Sequence, residues 1–228
     1  MPSSVNAMHI MEGSLPIGYS IVWGAVCLPF LVLGILKLRK TIEENKRALI
    51  LLAMSGAFIF VISSLKIPTV TGSCSHMTGT GLSAILFGVT TTSVLGIIVL
   101  IFQAILLAHG GLTTLGANTF SMAIAGPFVA VLLFNTGKKL KRNRSVNVFI
   151  AAAAGDLFTY CVTSIQLALA HPSEVGGVHA SLTKFLLVFA PTQVPLAIVE
   201  GLLTVLIVIG LEKYAKSELT TIAFLEAK

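Results

Sequence analysis

The sequence predicts an all-α integral membrane protein, a bundle of seven transmembrane helices, one of them short, with the N-terminus outside and the C-terminus cytoplasmic. Three observations carry that expectation. Hydrophobic residues make up 55% of the 228-residue chain and charged residues 11%, with a mean hydropathy of +0.96, far from the balance of an ordinary soluble domain. Apolar runs of about twenty residues recur, each long enough at about 1.5 Å per residue to cross about 30 Å of hydrocarbon. Lysine and arginine gather in alternate connections, the asymmetry that sets membrane orientation.

Residues 17–36 form the first apolar run, entered through Pro16. Lys37, Arg39, Lys40, Lys46 and Arg47, with Glu43 and Glu44 between them, then read as a short basic loop before a second crossing at residues 48–65. That loop is cytoplasmic by its charge, which places the N-terminus outside. Residues 66–81 are polar and punctuated by glycine, and read as an irregular loop. The apolar stretch that follows is too short for an ordinary span, and parity decides its role. Lys138, Lys139, Lys141, Arg142 and Arg144 belong inside, whereas Lys66 lies at the outer end of helix two. Helices at 92–108 and 116–134 supply only two of the odd number of crossings required. The segment around residues 78–89 is therefore the third, short because protein or a water-filled cavity covers its polar flank. Helix six runs from about residue 146 to 170 and helix seven from about 194 to 211, with residues 171–184 an outer loop.

The resulting topology puts thirteen of the fifteen Lys and Arg inside, leaving Lys66 and Lys184 outside. The net charge of +6 thus reports cytoplasmic loops, and no basic stretch interleaved with aromatics points to nucleic acid. Three cysteines, Cys27 and Cys161 in apolar spans and Cys74 in a polar loop, imply no disulfide framework. No internal repeat or low-complexity linker divides the chain, so residues 8–228 read as a single membrane domain. No Gly-x-x-x-x-Gly-Lys-[Ser/Thr] is present, so the chain has no ATP-binding loop of its own. Nor is there a His-Glu-x-x-His metalloprotease motif.

The candidate chemistry lies at the start, in Met8-His9-Ile10-Met11-Glu12-Gly13. A histidine second from a free amine offers one ion three nearly coplanar nitrogens: the amine, its own deprotonated amide and its ring. A fourth nitrogen, for which His76 is the candidate, closes a square-planar site of the kind that suits Ni(II) or Cu(II) and that Co(II) accepts. The condition is that Met8 becomes residue one. Val5-Asn6-Ala7 has the small residues of a signal-peptidase site without a preceding charged and apolar leader, so residues 1–7 read as a signal-peptide remnant or an extension. The alternative is a frayed tail carrying a solvated His9.

All five histidines, His9, His76, His109, His171 and His179, fall outside in this topology. Cys74, Ser75 and Thr78 flank His76 and offer partners for its second ring nitrogen. His109 and Asn118 bracket a glycine-rich turn and serve as surrounding support or as helix caps, whereas His171 and His179 read as non-ligands. Asp156 and Glu200 sit within apolar spans, where carboxyl groups are costly and often functional. Hydroxyls such as Thr159 or Thr192 are their expected partners.

These residues resemble the CbiM/NikM family, the substrate-capture subunits of energy-coupling-factor importers for cobalt and nickel. The likeness rests on Met8 to Gly13, on Gly72-Ser73-Cys74-Ser75-His76-Met77-Thr78-Gly79-Thr80-Gly81, and on Phe102-Gln103-Ala104 with Leu107-Ala108-His109-Gly110-Gly111-Leu112-Thr113-Thr114-Leu115-Gly116-Ala117-Asn118-Thr119-Phe120-Ser121-Met122. It implies a seven-helix subunit of a prokaryotic cell membrane whose N-terminal segment tucks into the bundle. Met8, His9 and His76 then hold one Co2+ or Ni2+ ion as the transported substrate. It also implies partners: a transmembrane coupling subunit, two cytoplasmic ATPase subunits and, in some systems, a small accessory membrane subunit. The seven-residue extension departs from the family, because an amine blocked by Ala7 cannot bind metal. Two rival classes stay in view: a stand-alone secondary carrier or channel, with Asp156 and Glu200 along its path, and an intramembrane enzyme pairing His76 with Cys74.

Overall fold

The structure is a computed structural model that describes residues 9–68, 74–222 and 224. Met8, residues 1–7 and the side chain of Cys74 lie outside the described residues. The described chain is almost wholly helical, with five helices long and apolar enough to cross a membrane and a further apolar helix, Ala48–Ser64, just below that length.

Helix α1 spans Ile17–Glu44 and absorbs most of the connection expected to be a basic loop. Lysine, arginine and glutamate are good helix formers, Lys40 and Glu44 pair at i,i+4, and Thr41 donates to the Lys37 carbonyl. Only Cys27 and Gly34 of this helix are buried, so most of α1 is left for lipid. Gly34 marks the contact with the next long helix, because a Cβ there would run into Val94 and the backbone of Thr90. Helix α2, Ala48–Ser64, ends where Ser63 and Ser64 turn their hydroxyls back onto the carbonyls of Ile59 and Phe60.

The segment expected to be an irregular loop contains a small antiparallel ladder, β1 (Ile67–Pro68) against β2 (Cys74–Ser75), with Ile67 opposite Ser75. Helix α3 follows at Thr80–Phe87, and all eight of its residues are buried. It packs among α2, helix α4 (Val89–Leu107), α6 (Gly126–Lys139), α7 (Arg144–Ala170) and α8 (Gly177–Tyr214). Protein on every side satisfies what lipid could not, which is how a helix of two turns survives there. At its C-terminal end Lys37 of α1 donates to the Phe87 carbonyl at 2.7 Å, a cation placed where the helix dipole is negative.

The crossing expected at residues 116–134 is one continuous path, Leu115–Lys139, that changes pitch. It starts as α5 (Leu115–Asn118), widens into a π-helical stretch at Thr119–Ala125 and resumes as α6. Pro127 lies at the start of α6 and, lacking an N–H, cannot continue the regular ladder backwards. The outer loop expected at residues 171–184 is largely helix: α8 begins at Gly177, where Gly176 takes a left-handed conformation, and runs 38 residues through Pro191 and Pro195. A short α9 (Lys216–Thr221) closes the described chain.

The two largest of four clusters of buried side chains among the described residues position the site. One joins Leu51, Leu82, Leu86, Phe134, Val148 and Val208; the other is built around Ile10, with Leu15, Ala117, Tyr160, Leu167, Phe185 and Phe189. The N-terminal segment is thus part of the core. Its surroundings are tight: Gly116 of α5 faces α1 so closely that a Cβ would lie 2.5 Å from the nitrogen of Gly24. Gly116→Ala is expected to destabilise the folded state by about 1–3 kcal/mol through overpacking. Gly18→Ala, where a Cβ meets open space, should leave the melting temperature in detergent unchanged or slightly raised.

Candidate metal centre

An extended segment entering a bundle brings backbone N–H and C=O groups that must find partners. Here Asn118 takes both groups of Ile10: its Oδ1 accepts from the Ile10 N–H at 2.9 Å and its Nδ2 donates to the Ile10 carbonyl at 3.0 Å. Thr114 donates to the same carbonyl at 2.7 Å. One helical turn separates the two side chains, so both project to the same face of the chain. Beyond Ile10, the Glu12 N–H donates to Gly110 O, the Thr113 N–H donates to the Glu12 carboxylate, and the Gly13 N–H donates to the Thr113 hydroxyl. The Thr113 bonds hold the Glu12 carboxyl below its usual range. His171 Nε2 lies 2.6 Å from the Ser14 carbonyl. Residues 10–14 are therefore tied down along their length, and His9 is delivered to a fixed place.

That place is shared with two other histidines. His9, His76 and His109 are all buried, at 3%, 0% and 1% exposure, and offer ring nitrogens that all lie within 4.8 Å of one another. The His9 ring stacks on His109, with centroids 4.3 Å apart and planes 20° apart, while His76 meets both edge-on. His76 Nδ1 faces the Met77 carbonyl at 2.8 Å. A carbonyl only accepts, so Nδ1 carries the proton and Nε2 is a bare lone pair. It lies 2.5 Å from His9 Nδ1. Adjacent donors on one square-planar ion, at metal–nitrogen distances of about 2.0 Å, are separated by about 2.8 Å, so the two nitrogens converge as two edges of a coordination shell do.

The site is also kept unprotonated. Burial is the main cause of the low proton affinity of all three rings, followed for His9 and His109 by repulsion from a charged His76. His76 is lowered to about 4 and His109 to about 3. Lys66 pushes all three in the same direction. Three neutral imidazoles are the form a metal ion takes, and such donors suit late first-row divalent ions.

Behind His76, the expected partners are rearranged. Ser75 pairs with Thr192 at 2.7 Å and does not touch the ring, because successive side chains of an extended segment point to opposite faces. Thr78 turns to the acids: its N–H donates to Asp156 Oδ1 at 3.2 Å and Glu200 Oε2 at 2.6 Å, and its hydroxyl donates to Glu200. Gln193 bridges the two levels, donating to Asp156 Oδ2 at 2.6 Å and to the His76 carbonyl at 3.2 Å. Asp156 and Glu200, both buried, thus accept from Thr78 and Gln193. Of the hydroxyls expected to reach them, Thr159 instead bonds back to its own helix, as Thr192 does beyond its bond to Ser75. His179 lies in the first turn of α8, away from the cluster. Residue-by-residue reading passed over Thr114 and Gln193, although a glutamine in an apolar run such as Pro191 to Leu196 is itself a signal, since an amide there needs a partner.

Lowered histidine affinities carry a stability consequence. Unfolded imidazoles take up protons near pH 6.5, whereas folded His76 does so only near 4, so the unfolded state binds more protons between those values. The contribution is complete above pH 6.5 and lost as pH falls toward 4, on the order of 3 kcal/mol for His76 alone. Melting temperatures in detergent are expected to drop over that window in the metal-free protein, and to drop less steeply in His76→Asn.

Comparison with known proteins follows the same lines. Residues 9–218 match the family described as CbiM, cobalt uptake substrate-specific transmembrane region. The chain is 69% identical over 216 residues to the cobalt transport protein CbiM of Lachnoclostridium phytofermentans, covering 95% of this chain and 86% of that protein. It is 62% identical over 210 residues to the protein of the same name from Chlorobium limicola, covering 92% and 83%. Among solved structures, a truncated transition metal transporter superposes with a TM-score of 0.79 at 28% identity, over 90% of this chain and 99% of that one. A second transition metal transporter gives 0.78 at 29% identity, over 90% and 92%. A family match spanning almost the whole chain, relatives well above half identical and a shared transporter fold lead to one assignment: this protein belongs to the CbiM family.

Proposed function

We propose that the protein is the substrate-binding membrane subunit of an energy-coupling-factor importer, capturing Co2+ or Ni2+ at the extracytoplasmic face for uptake into a prokaryotic cell. The observation that carries this reading is the convergence of His9 Nδ1 and His76 Nε2, 2.5 Å apart in a buried, neutral pocket. Cleavage after Ala7 frees the Met8 amine. The amine and the His9 amide then add two nitrogens to the two rings, and Nδ1 is the ring atom near enough to the backbone to close a chelate with its own amide. The cobalt named for the relatives makes Co2+ the first ion to try, while an all-nitrogen plane suits Ni2+ as well.

In this reading the chain is one membrane domain of seven crossings, with α3 as the short one, the amino end outside and the carboxyl end inside. The three-histidine pocket then opens to the outer side, and the basic end of α1 faces the cytoplasm. The chain carries no phosphate-binding loop, so energy comes from two cytoplasmic ATPase subunits joined through a transmembrane coupling subunit, with a small accessory membrane protein in some assemblies. Asn118, Thr114 and His109 support the N-terminal segment, and Asp156 and Glu200 fasten α7 and α8 to the His76 segment.

The decisive measurement compares protein beginning at Met8 with protein retaining residues 1–7, each titrated with Co(II) and Ni(II). One-to-one binding by the shorter form is expected, weakened at least a hundredfold both by the extension and by His76→Ala. Equal binding by the two forms would overturn the role of the amine.

A further inference from the structure

The three rings of the pocket converge in a chain that still carries residues 1–7. With Met8 bonded to Ala7 there is no amine to bind a metal, and without that anchor the His9 amide keeps its proton. The planar set of four nitrogens cannot form, and three imidazoles remain.

Their arrangement is not that of a plane. The ring centroids lie 4.2, 4.3 and 5.0 Å apart, close to an equilateral triangle, whereas any three donors of a square-planar ion include two that stand opposite each other across the metal. Here no two rings are opposed. His9 and His109 stack side by side, and His76 closes the triangle with its plane at 69° and 74° to theirs. Each ring offers a nitrogen, and the three nitrogens lie within 4.8 Å of one another. A tetrahedral ion about 2.0–2.1 Å from each donor spaces them about 3.4 Å apart. Displacements of about 1 Å or less, which open the 2.5 Å contact between His9 and His76, therefore seat all three on one face of such an ion.

The unsatisfied atoms of the pocket point the same way. His9 Nε2 and His109 Nε2 are buried without a hydrogen-bond partner among the described residues, which is costly in an interior. His76 Nδ1 donates to the Met77 carbonyl, an outer hydrogen bond of the kind that orients a metal-bound imidazole. Burial of all three rings also disfavours the three waters that would complete a six-coordinate shell.

We infer that His9, His76 and His109 give the pocket a second binding mode, a three-imidazole face that takes a tetrahedral divalent ion, Zn2+ foremost, without the amine. Zn2+ imposes no geometry of its own and accepts three histidines with a water as the fourth ligand, whereas Ni2+ gains from the plane. The inference rests on the capture reading only in taking the pocket as a metal site. It makes His109 a ligand to Zn2+, where for the planar ion it supports the N-terminal segment. Both modes use His9 and His76, so Zn2+ and the cargo exclude each other, and the free amine is what turns the pocket from the tetrahedral ion toward the planar one.

The test starts with the chain retaining residues 1–7, titrated in detergent with Zn(II) alone. One ion per chain is expected, and X-ray absorption should show four ligands, three of them imidazoles, a measurement that needs no variant. Absence of Zn(II) binding, or a bound ion with fewer than three imidazoles, would overturn the inference. His109→Phe keeps a ring to stack on His9 but offers no nitrogen. It should weaken Zn(II) binding at least about a hundredfold, since even an outer partner of a ligand is worth about 10- to 100-fold. Unchanged affinity in that variant would also overturn the inference, and should the variant fail to fold, the absorption measurement decides. In the chain beginning at Met8, Zn(II) should raise the apparent Kd for Ni(II) in proportion to its concentration; simultaneous binding of both ions would count against a shared pocket and overturn the inference. Failure of that shorter chain to bind Co(II) or Ni(II) would instead overturn the capture reading, and Zn(II) on the longer chain would still decide the three-imidazole mode.

Discussion

The pocket depends on satisfying one peptide unit. His9 can be buried only if the backbone that follows it is buried too, and unpaired N–H and C=O groups in that setting would each cost about 1–3 kcal/mol. Asn118 presents an amide that matches both groups of Ile10, acting as a strand partner would, and Thr114 adds a second donor to the carbonyl. With the peptide satisfied, the Ile10 side chain drops into a cluster formed by α5, α7 and α8. The same element that contributes a candidate ligand therefore also contributes core, and the pocket is assembled by the act of packing the segment.

Satisfying that peptide also accounts for the irregularity nearby. Asn118 closes the short helix α5 and the chain widens into a π-helical stretch at once, before Pro127. Extra backbone room in such a stretch changes which residues share a face, and these stretches concentrate at functional sites. The neighbouring turn is equally constrained: α4 ends with Ala108 in a left-handed conformation and Gly110 at positive φ. His109 is thereby brought back over His9 while Gly110 offers its carbonyl to Glu12.

His76 is held by a different logic. Its segment leaves the β1–β2 ladder and enters α3 through Gly79, which is left-handed, and no regular ladder satisfies it on the way. Gln193 and the two carboxyl groups of Asp156 and Glu200 do so from α8 and α7. A movement of α8 relative to α7 would strain these bonds directly, so the candidate ligand is tied to the two most extensively packed helices of the chain. The N-terminal side of the pocket rests on α5 and the turn before it, and its two ligand-bearing halves therefore report on different parts of the bundle.

Composition and periodicity were enough to mark the membrane class and the apolar segments, because burial in lipid is decided locally by twenty or so side chains. The short helix was expected on a separate argument, the parity of charged ends, and α3 at Thr80–Phe87 lies within the expected segment. Its ends and those of α1 and α8 were not legible: charged residues read as loop are helical in α1, and the stretch before Pro191 is helical despite its polar start, since such boundaries depend on neighbours that composition does not contain. The start at His9, His76 and Asn118 stood out as residue types, and the charge pattern led to the expectation that histidines and a glycine-rich turn lie on one side of the topology. That Asn118 would grip Ile10, that Thr78 and Gln193 would take the acids away from Thr159 and Thr192, and that two particular ring nitrogens would meet at 2.5 Å were decided only by the tertiary structure. Hydrogen-bond partners in a membrane interior are chosen by which polar groups are left without water, and that choice exists only once the helices are packed.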